Sequence, residues 1–368
     1  MRLLWVTENY PPSRGGMAQS CDRIVRGLRA AGVEVDVAHL SRRPVPFSVG
    51  DELGGRLVTV PLGEDPEHAL RLLWTVLTRS YTHVVAFGGT YPLLAAPVYA
   101  AWAGAPLVTL LRGNDFDTGM FSVRRQALVL AALRASARVC VVAGSTAPLV
   151  SAVAPGVPVT VVGNSIDRGG WEVLPSERQK AAAWRAENVG SGLRTVGLIG
   201  QLKNKKGVRF LLDAVLAGGH AERLHFVLAG EVEPSVSDWL GGQERIRYST
   251  FPFLDRYELL TVYAACDVVA LPSFYDGLPN VALEAAALGI PLLASDAGGL
   301  ADLVDDRIGF RFAAGDAAGC RAAVHRAALS TSDELAALGA AAAERVRTDY
   351  HPRREVDGYL RVLASTAT

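Results

Sequence analysis

Short apolar runs and helical patterns alternate along the first half of the chain. The runs that predict buried strands occupy residues 3–7, 33–40, 84–87, 107–111 and 139–142. Apolar residues at helical spacing predict helices over residues 17–30 and 123–135. Because strands that alternate with helices are typical of βαβ units, we expect a mainly parallel sheet.

The alternation begins again after a polar stretch with Gly and Pro at residues 163–192, which we interpret as a hinge region. Further strands are predicted over residues 194–199, 224–228, 268–271 and 291–294. Helices are predicted over residues 208–216, 256–265 and 281–288, and from residue 334 onward with a break at His351-Pro352. The sequence therefore predicts an α/β protein with two doubly wound, Rossmann-like domains that face each other across a cleft.

One long uncharged segment needs its own interpretation. Residues 84–111 carry no charged side chain over 28 positions, which is long enough to cross a bilayer. The Gly88-Gly89 pair, Pro92 and Pro97 divide it into strand, loop and helix, so we interpret it as buried core. The first residues lead directly into Glu8 and do not show the pattern of a signal peptide.

Composition and charge restrict the function further. The chain has 368 residues, more than one hydrophobic core usually organises, and 37 basic side chains balance 37 acidic ones. This balance disfavours a nucleic-acid-binding protein. Residues 1–165 carry a net charge of +4 and the remainder −4. The excess would suit an anionic membrane surface or a phosphorylated acceptor, and a soluble acceptor is equally compatible with it.

The cysteines and histidines predict neither a disulfide framework nor a zinc site. Cys21, Cys140, Cys266 and Cys320 lie far apart, and we interpret them as four buried thiols of a reducing compartment. No two of the seven histidines are four residues apart. We therefore expect a cytoplasmic protein whose closest contact with a membrane is peripheral association with the inner face.

Open α/β sheets bind ligands at the carboxyl ends of their strands, where helix N-termini direct amide groups outward. At the first such junction, residues 9–16, Gly15 and Gly16 form a tight turn or allow a close approach of backbone to an anion. The chain contains neither a G-x-G-x-x-G fingerprint nor a Walker motif. This disfavours a nicotinamide enzyme and a phosphate-loop ATPase.

Lysine is concentrated at a second junction. Only four of the 37 basic residues are lysines, and Lys203, Lys205 and Lys206 lie together in residues 200–207. Three ammonium groups near the start of a helix suit a diphosphate. A solvated surface loop is the alternative, but the scarcity of lysine elsewhere favours an anion site.

A third junction carries two acidic residues. Asp276 ends a loop and Glu284 lies one turn into the next predicted helix, so both carboxylates can face the cleft and accept hydrogen bonds from ligand hydroxyls. Glu284 belongs to an otherwise apolar helix, where a buried charge needs a partner. Two surface charges are the alternative. A fourth junction contains another glycine pair, Gly298-Gly299.

At these residues the chain resembles the retaining, nucleotide-sugar-dependent glycosyltransferases of the GT-B fold, family 4 (glycosyl transferases group 1). The resemblance covers nearly the whole chain. Its motifs follow in order: Tyr10-Pro11-Pro12 with Gly15-Gly16, Asn164-Ser165-Ile166-Asp167, Gly200-x-Leu202 with Lys206-Gly207, and the E-x7-E element, here Asp276-x7-Glu284, followed by Gly298-Gly299.

The resemblance implies a GT-B domain organisation. An N-terminal, acceptor-side domain is expected at 1–165, a hinge at 166–192 and a nucleotide-sugar-binding domain at 193–348. The last segment, 349–368, is expected to form a helix that packs back toward the N-terminal domain.

The resemblance also implies roles for individual residues. Glu284 matches the acid that binds the donor ribose, Asp276 the acid that contacts the transferred sugar, and Lys206 the lysine that neutralises the leaving diphosphate. Amides near Asn280 and Val281 would hold the diphosphate. The other implied donor-site positions are Gly15, Gly16, Gln201, Leu254, Gly277 and Leu278. No metal or other cofactor is implied, because lysine, arginine and helix N-termini supply the positive charge.

Three positions depart from the family pattern. Gln201 replaces an arginine whose charge Lys203 or Lys205 could supply, and Asp276 is one methylene shorter than the usual glutamate. Arg112 stands where many relatives have a histidine. We include Arg112 with Lys206 and Asp276 as a catalytic candidate. Together with Asn114 and Asp115, it forms the expected acceptor side.

The sequence therefore predicts a retaining, metal-independent glycosyltransferase of glycoconjugate, polysaccharide or natural-product biosynthesis. It would move a sugar from a nucleoside diphosphate sugar, with UDP the most common nucleotide in the family, to a small-molecule, glycan or lipid-linked hydroxyl. The alternatives are a nucleotide-sugar epimerase or phosphorylase of the same fold and a catalytically weak nucleotide-sugar-binding homologue. A metal-binding D-x-D at Asp115-x-Asp117 is disfavoured by the two-domain organisation.

Overall fold

The computed structural model describes residues 1–77 and 79–367, without the side chain of Asn114. The chain divides into two compact units. The first unit contains Met1–Asn164 and Pro352–Thr368, and the second contains Ser165–His351. The chain therefore enters the second unit once and returns to the first.

The first unit is built on a sheet of eight described strands in the order β3-β4-β2-β1-β5-β6-β7-β8. The strands are β1 (Arg2–Thr7), β2 (Glu34–Ser41), β3 (Ser48–Glu52), β4 (Gly55–Pro61), β5 (His83–Phe87), β6 (Leu107–Leu111), β7 (Arg138–Val141) and β8 (Val159–Val161). The helices before the crossing are α1 (Gly16–Ala30), α2 (Pro66–Val76), α3 (Thr90–Ala103), α4 (Asn114–Met120), α5 (Gln126–Ala135) and α6 (Thr146–Val153). Only β3 and β4 pair in antiparallel fashion among the described strands.

The second unit has a sheet of six described strands in the order β11-β10-β9-β12-β13-β14, all in parallel pairs. The strands are β9 (Arg194–Leu202), β10 (Leu224–Val232), β11 (Arg247–Phe251), β12 (Val268–Leu271), β13 (Leu292–Ser295) and β14 (Gly309–Phe312). The helices are α7 (Pro175–Asn188), α8 (Val208–Ala217), α9 (Pro234–Gly241), α10 (Arg256–Ala264), α11 (Asn280–Ala287), α12 (Leu300–Leu303), α13 (Ala317–Leu329) and α14 (Ser332–Asp349). The last helix, α15 (Pro352–Thr366), belongs to the first unit and packs on α1.

Each sheet is covered by helices on both faces. Along β1, Leu4 packs in the core beneath α2, α3, α5 and α6, whereas Leu3 packs in the core beneath α1 and α15. Along β12, Val268 and Val269 divide in the same way between the two cores of the second unit. Successive strand residues point to opposite faces, so a strand buried on both faces is mostly apolar. The predicted fold class, two doubly wound α/β domains with a returning C-terminal helix, is confirmed.

Some elements differ from the prediction. The hairpin of β3 and β4 was not predicted, because β3 is polar and mostly exposed. The stretch 166–192, expected as a hinge, contains α7 and lies within the second unit. There Trp184 packs on Phe251 with ring centroids 5.4 Å apart. Anchors of this kind make the stretch part of the second unit despite its polar composition.

The uncharged segment 84–111 forms β5, α3 and β6. Both strands and the inner side of α3 are buried, as expected. Among the helices of the described residues, none is long and apolar enough to cross a membrane. All four cysteines are buried with free thiols, which confirms that part of the prediction.

Candidate active site

The two loops that carry the predicted donor-site charges are packed against each other. One follows β9 and includes a tight turn over Asn204–Lys206, and the other links β12 to α11. Gly207 has a φ of +67°, and a Cβ on it would lie 2.0 Å from the carbonyl oxygen of Pro272. The amide of Phe274 also donates to the carbonyl of Lys205 at 2.9 Å. Because β9 and β12 are neighbours, both loops leave the same edge of the sheet.

This packing brings Lys206 and Asp276 together. The Lys206 ammonium forms an ion pair with Oδ2 of Asp276, and the two side chains are 24% and 15% exposed. The other carboxylate oxygen of Asp276 accepts the amide of Gly277 at 3.0 Å. The two catalytic candidates of the second unit therefore form one directly contacting pair, which is still partly open to solvent.

The glycine pair of the fourth junction supports the Asp276 loop. Gly298 has a φ of +55°, and a Cβ there would lie 1.8 Å from the carbonyl oxygen of Asp276. The amide of Gly299 donates to the carbonyl of Gly277 at 2.6 Å. Both glycines thus allow backbone to lie against backbone, which fixes where Asp276 is presented.

Glu284 lies one turn into α11 and is only 6% exposed. The hydroxyl of Tyr263, on α10, donates to its Oε2 at 2.7 Å. Burial and the neighbouring carboxylate raise the pKa of Tyr263 well above its usual range, so the phenol keeps its proton and remains a donor. The sequence analysis predicted that Glu284 needs a partner but missed Tyr263, since nothing in the local sequence relates two residues on different helices.

The other two lysines of this loop have different surroundings. Lys205 places its ammonium 5.2 Å from the ring centroid of Tyr275, and Lys203 is exposed. Gln201 donates from Nε2 to Glu231 at 3.1 Å, its partner in the register of β9 and β10. The sequence analysis missed Glu231, whose carboxylate lies beside Gln201, the position where the family resemblance implies an arginine.

The remaining donor-site candidates of the second unit surround the start of α11. Asn280 is its first residue, Leu278 is buried, and a Cβ on Gly200 would lie 3.7 Å from the Val281 side chain. Leu254 is partly buried against the same core as Val281, just before α10. The first turn of α11 therefore lies next to the end of β9, where its amides face away from the helix body.

The predicted glycines of the first unit lie at the β1–α1 junction. Gly15 directly precedes α1, and Gly16 is the first residue of that helix. The amide of Ser13 donates to the carbonyl of Tyr10 at 3.0 Å within the same loop. The loop thus opens at the carboxyl edge of the first sheet, where it was expected.

Arg112 has a different environment from the one the sequence suggested. Its guanidinium donates to the hydroxyl of Tyr359 at 2.8 Å and to Oδ1 of Asn164, and the residue is 8% exposed. Arg112 therefore ties α15 to the first sheet. These contacts give the predicted catalytic role of Arg112 no support, because the charged end points into the protein interior.

Asp115 lies in the first turn of α4. Its carboxylate accepts the amide of Arg112 at 2.9 Å and that of Phe116 at 3.1 Å, and burial raises its pKa. The side chain of Asn114 lies outside the described part of the structure. The described residues contain no group of three or more His, Cys, Asp or Glu side chains that could hold a metal ion.

A buried acid completes the network around Arg112. Glu355 of α15 is 4% exposed and receives two hydrogen bonds from Arg23 of α1, at 2.9 and 3.2 Å. Arg23 also donates to Asn164 at 3.3 Å. The sequence analysis missed this network, because its members come from four distant segments of the chain.

The sequence matches decide the family. Residues 14–169 match the family described as Glycosyltransferase Family 4, and residues 194–329 match Glycosyl transferases group 1. The chain belongs to this glycosyltransferase family. The resemblance inferred from the motifs is thereby confirmed.

Relatives and solved structures agree with this assignment. The glycosyltransferase is 28% identical to glycogen synthase of Mycobacterium tuberculosis over 397 residues, covering 95% of this chain and 91% of that protein. It is also 28% identical to a 2-deoxystreptamine glucosyltransferase of Streptomyces kanamyceticus, over 59% of each chain.

Two solved structures share its fold. Sucrose-phosphate synthase of Thermosynechococcus elongatus has a TM-score of 0.80 at 17% identity and covers 99% of both chains. Anabaena HepE, solved in complex with UDP-glucose, has a TM-score of 0.75 at 19% identity, covering 99% of this chain and all of that one. The fold of the glycosyltransferase is therefore GT-B.

Proposed function

We propose that this glycosyltransferase is a retaining enzyme that transfers a sugar from a UDP-sugar to a hydroxyl acceptor, without a metal ion or other cofactor. The observation that carries the proposal is the Lys206–Asp276 pair, on two packed loops beside the first turn of α11. A partly exposed ammonium next to outward-facing amides is a suitable site for a diphosphate.

Each group of the second unit then has a distinct task. Lys206 and the amides of Asn280 and Val281 would hold the diphosphate and stabilise the negative charge that develops as it leaves. Asp276 would contact the transferred sugar, and it keeps Lys206 in position before the donor binds. Glu284, oriented by Tyr263, would accept the ribose hydroxyls. Gly277, Leu278 and Leu254 would enclose the donor, with Gln201 beside the diphosphate.

The proposed reaction takes place on one face of the sugar. The bond from the anomeric carbon to the diphosphate oxygen breaks, and the acceptor oxygen forms the new bond on the same face. The leaving phosphate oxygen takes the proton of the acceptor hydroxyl. This route needs orientation and charge stabilisation and no carboxylate nucleophile, and it matches the groups available in the second unit.

UDP is proposed as the nucleotide because Anabaena HepE, which shares the fold, has been solved with UDP-glucose. The acceptor would bind at the first unit, and Gly15 and Gly16 of the same unit would contribute to donor binding. A small molecule, a glycan and a lipid-linked sugar all offer the required hydroxyl. The buried free thiols support a reducing, cytoplasmic location, with peripheral contact to the inner membrane face included in the proposal.

The donor is identified first, by thermal unfolding in the presence of nucleoside diphosphates and their sugars. A ligand that binds only the folded chain raises the midpoint, and tighter binding at a given concentration raises it further, so a selective shift with UDP compounds is expected. A selective shift with GDP or dTDP compounds would contradict the nucleotide assignment.

The stereochemistry and the metal requirement are then tested by NMR of the product anomeric proton, with and without EDTA. Retention and full activity in EDTA are expected. An inverted product would overturn the mechanism, and activity lost in EDTA and restored by a divalent cation would overturn metal independence. UDP binding without transfer across a broad acceptor panel would instead favour a catalytically weak homologue, consistent with Gln201 lying against Glu231.

A further inference from the structure

The outer side of α3 is apolar along its whole length. Leu94, Val98 and Trp102 are 42%, 42% and 51% exposed and follow each other at four-residue spacing, so they form one stripe, here called the α3 stripe. The helix carries no charged residue on any side. Soluble helices normally present polar residues on the side that faces away from the core. Burial in the core therefore explains the apolar residues on the inner side of α3 but not those on its outer side.

A second apolar feature lies in the same helical layer. The loop 121–125 enters α5, which packs against α3 above the same core. Phe121 and Val123 in this loop are 94% and 100% exposed. The loop is ordered by its own bonds, because the amide of Arg125 donates to Ser122 O at 3.0 Å and its guanidinium to Thr118 at 3.0 Å. Both side chains are thus held outward.

Basic residues outnumber acidic ones around these features. Between residues 68 and 166 the only acidic residues are Asp115 and Asp117, against seven arginines. Arg71 lies 5.7 Å from the ring centroid of Trp102, and Arg124 is exposed directly after Val123. An apolar surface bordered by arginines complements an anionic surface into which apolar side chains can insert.

We propose that the α3 stripe and the loop 121–125 form a docking surface for an anionic lipid bilayer. Phe121, Val123 and Trp102 enter the headgroup region, where aromatic rings are favoured, and the arginines contact anionic headgroups. A second copy of the chain is a poorer occupant, since a two-fold contact would place arginines opposite arginines. Binding of this surface to a bilayer does not depend on the transferase activity. That the bound enzyme thereby meets a lipid-linked acceptor rests on the proposed function.

The test is co-sedimentation of the full chain with vesicles of phosphatidylcholine containing about 30 mol% phosphatidylglycerol, compared with phosphatidylcholine alone. Binding to the anionic vesicles is expected, and it should weaken when NaCl is raised from about 0.1 M to about 0.5 M. The double variant Phe121→Ser/Val123→Ser should lower the partition coefficient about tenfold or more, because it removes the inserted side chains.

The chain contains a matched control. Leu53 is 96% exposed at the turn between β3 and β4, but Asp51 and Glu52 precede it. Leu53→Ser should therefore leave vesicle binding unchanged. A second pair, Val98→Gln/Trp102→Gln, tests the α3 stripe and should weaken binding in the same direction.

Three results would overturn the docking surface: no binding to anionic vesicles, equal binding by wild type and both double variants, or a dimer in light scattering that the same variants abolish. UDP-induced thermal shifts measured on the same samples report donor binding independently of vesicle binding. A preserved UDP shift without vesicle binding removes the docking surface and leaves the proposed function in place.

Discussion

In each unit a basic side chain follows the end of a central strand, and the two side chains differ in exposure and in the number of their partners. Lys206 follows β9, is one-quarter exposed and contacts one carboxylate, Asp276. Arg112 follows β6, has a side chain only 3% exposed and is held by the side chains of Tyr359 and Asn164. Both residues were catalytic candidates because of their positions in the sequence, but their exposure and contacts in the folded chain differ.

The difference lies in how freely each charge can change partner. A compact ammonium with one partly exposed partner can exchange it for a ligand at little cost, whereas a buried guanidinium loses several hydrogen bonds at once. The Lys206 pair is therefore suited to binding an anion. The Arg112 network is suited to holding α15 on the first unit. A cation after a strand is evidence for a binding site only when its side chain remains accessible.

The largest expected effect is the loss of stability when Glu355 is removed from the network that contains Arg112 and Arg23. Glu355→Ala leaves the partly buried guanidinium of Arg23 without its carboxylate, and the free energy of unfolding should fall by about 3 kcal/mol. Denaturant titration measures it. The control Glu344→Ala removes a carboxylate that is 58% exposed beside Arg347 and should cost about 0–1 kcal/mol. Equal losses in the two variants would contradict a structural role for the network.

The next largest effect is expected from removing the accessible charge of Lys206. Lys206→Ala should lower kcat/KM by about 10²–10³-fold, because it removes the charge that stabilises the leaving diphosphate. Its thermal midpoint should change little, since the pair is partly exposed. Lys180→Ala, at an exposed position of α7, is the control and should retain its activity. Full activity in Lys206→Ala would show that this loop does not bind the diphosphate.

A smaller effect is expected at Tyr263. Tyr263→Phe removes the hydrogen bond to Glu284, and the loss of that orientation should raise the Kd for UDP about tenfold. Isothermal titration calorimetry measures it, with Tyr248→Phe, on the exposed part of β11, as control. An unchanged Kd would mean that Glu284 does not bind the ribose or needs no help from Tyr263.

The smallest effect compares buried histidines of the two units. Burial lowers the pKa of His39 in the first unit and of His225 in the second. The unfolded chain therefore binds more protons below about pH 6.5, and the stability that these neutral side chains contribute above that pH is lost as the pH falls through their folded-state pKa values.

Thermal midpoints measured between about pH 7.5 and pH 5.5 should thus decrease with acidity. His39→Gln and His225→Gln should each flatten this dependence, and the exposed His68→Gln should not. A slope that neither buried variant changes would assign the acid sensitivity to other groups.

Much of the fold follows from local sequence. Strands buried on both faces are mostly apolar, so the runs at 107–111 and 268–271 coincide with β6 and β12. The turn chemistry after each strand is local too, which is why Lys206, Asp276 and Glu284 could be assigned to junctions before their contacts were known. Polar elements such as β3 and α7 were missed, because exposure and packing on a single side weaken the periodic signal.

Contacts between distant residues required the folded chain. Arg112 and its partner Tyr359 are 247 positions apart, and Tyr263 reaches Glu284 from another helix. No local pattern encodes such pairs, because they depend on how elements pack. Hydrophobicity has the same limit along α3, where the sequence is apolar all round and only the tertiary arrangement distinguishes the buried side from the exposed stripe of Leu94, Val98 and Trp102.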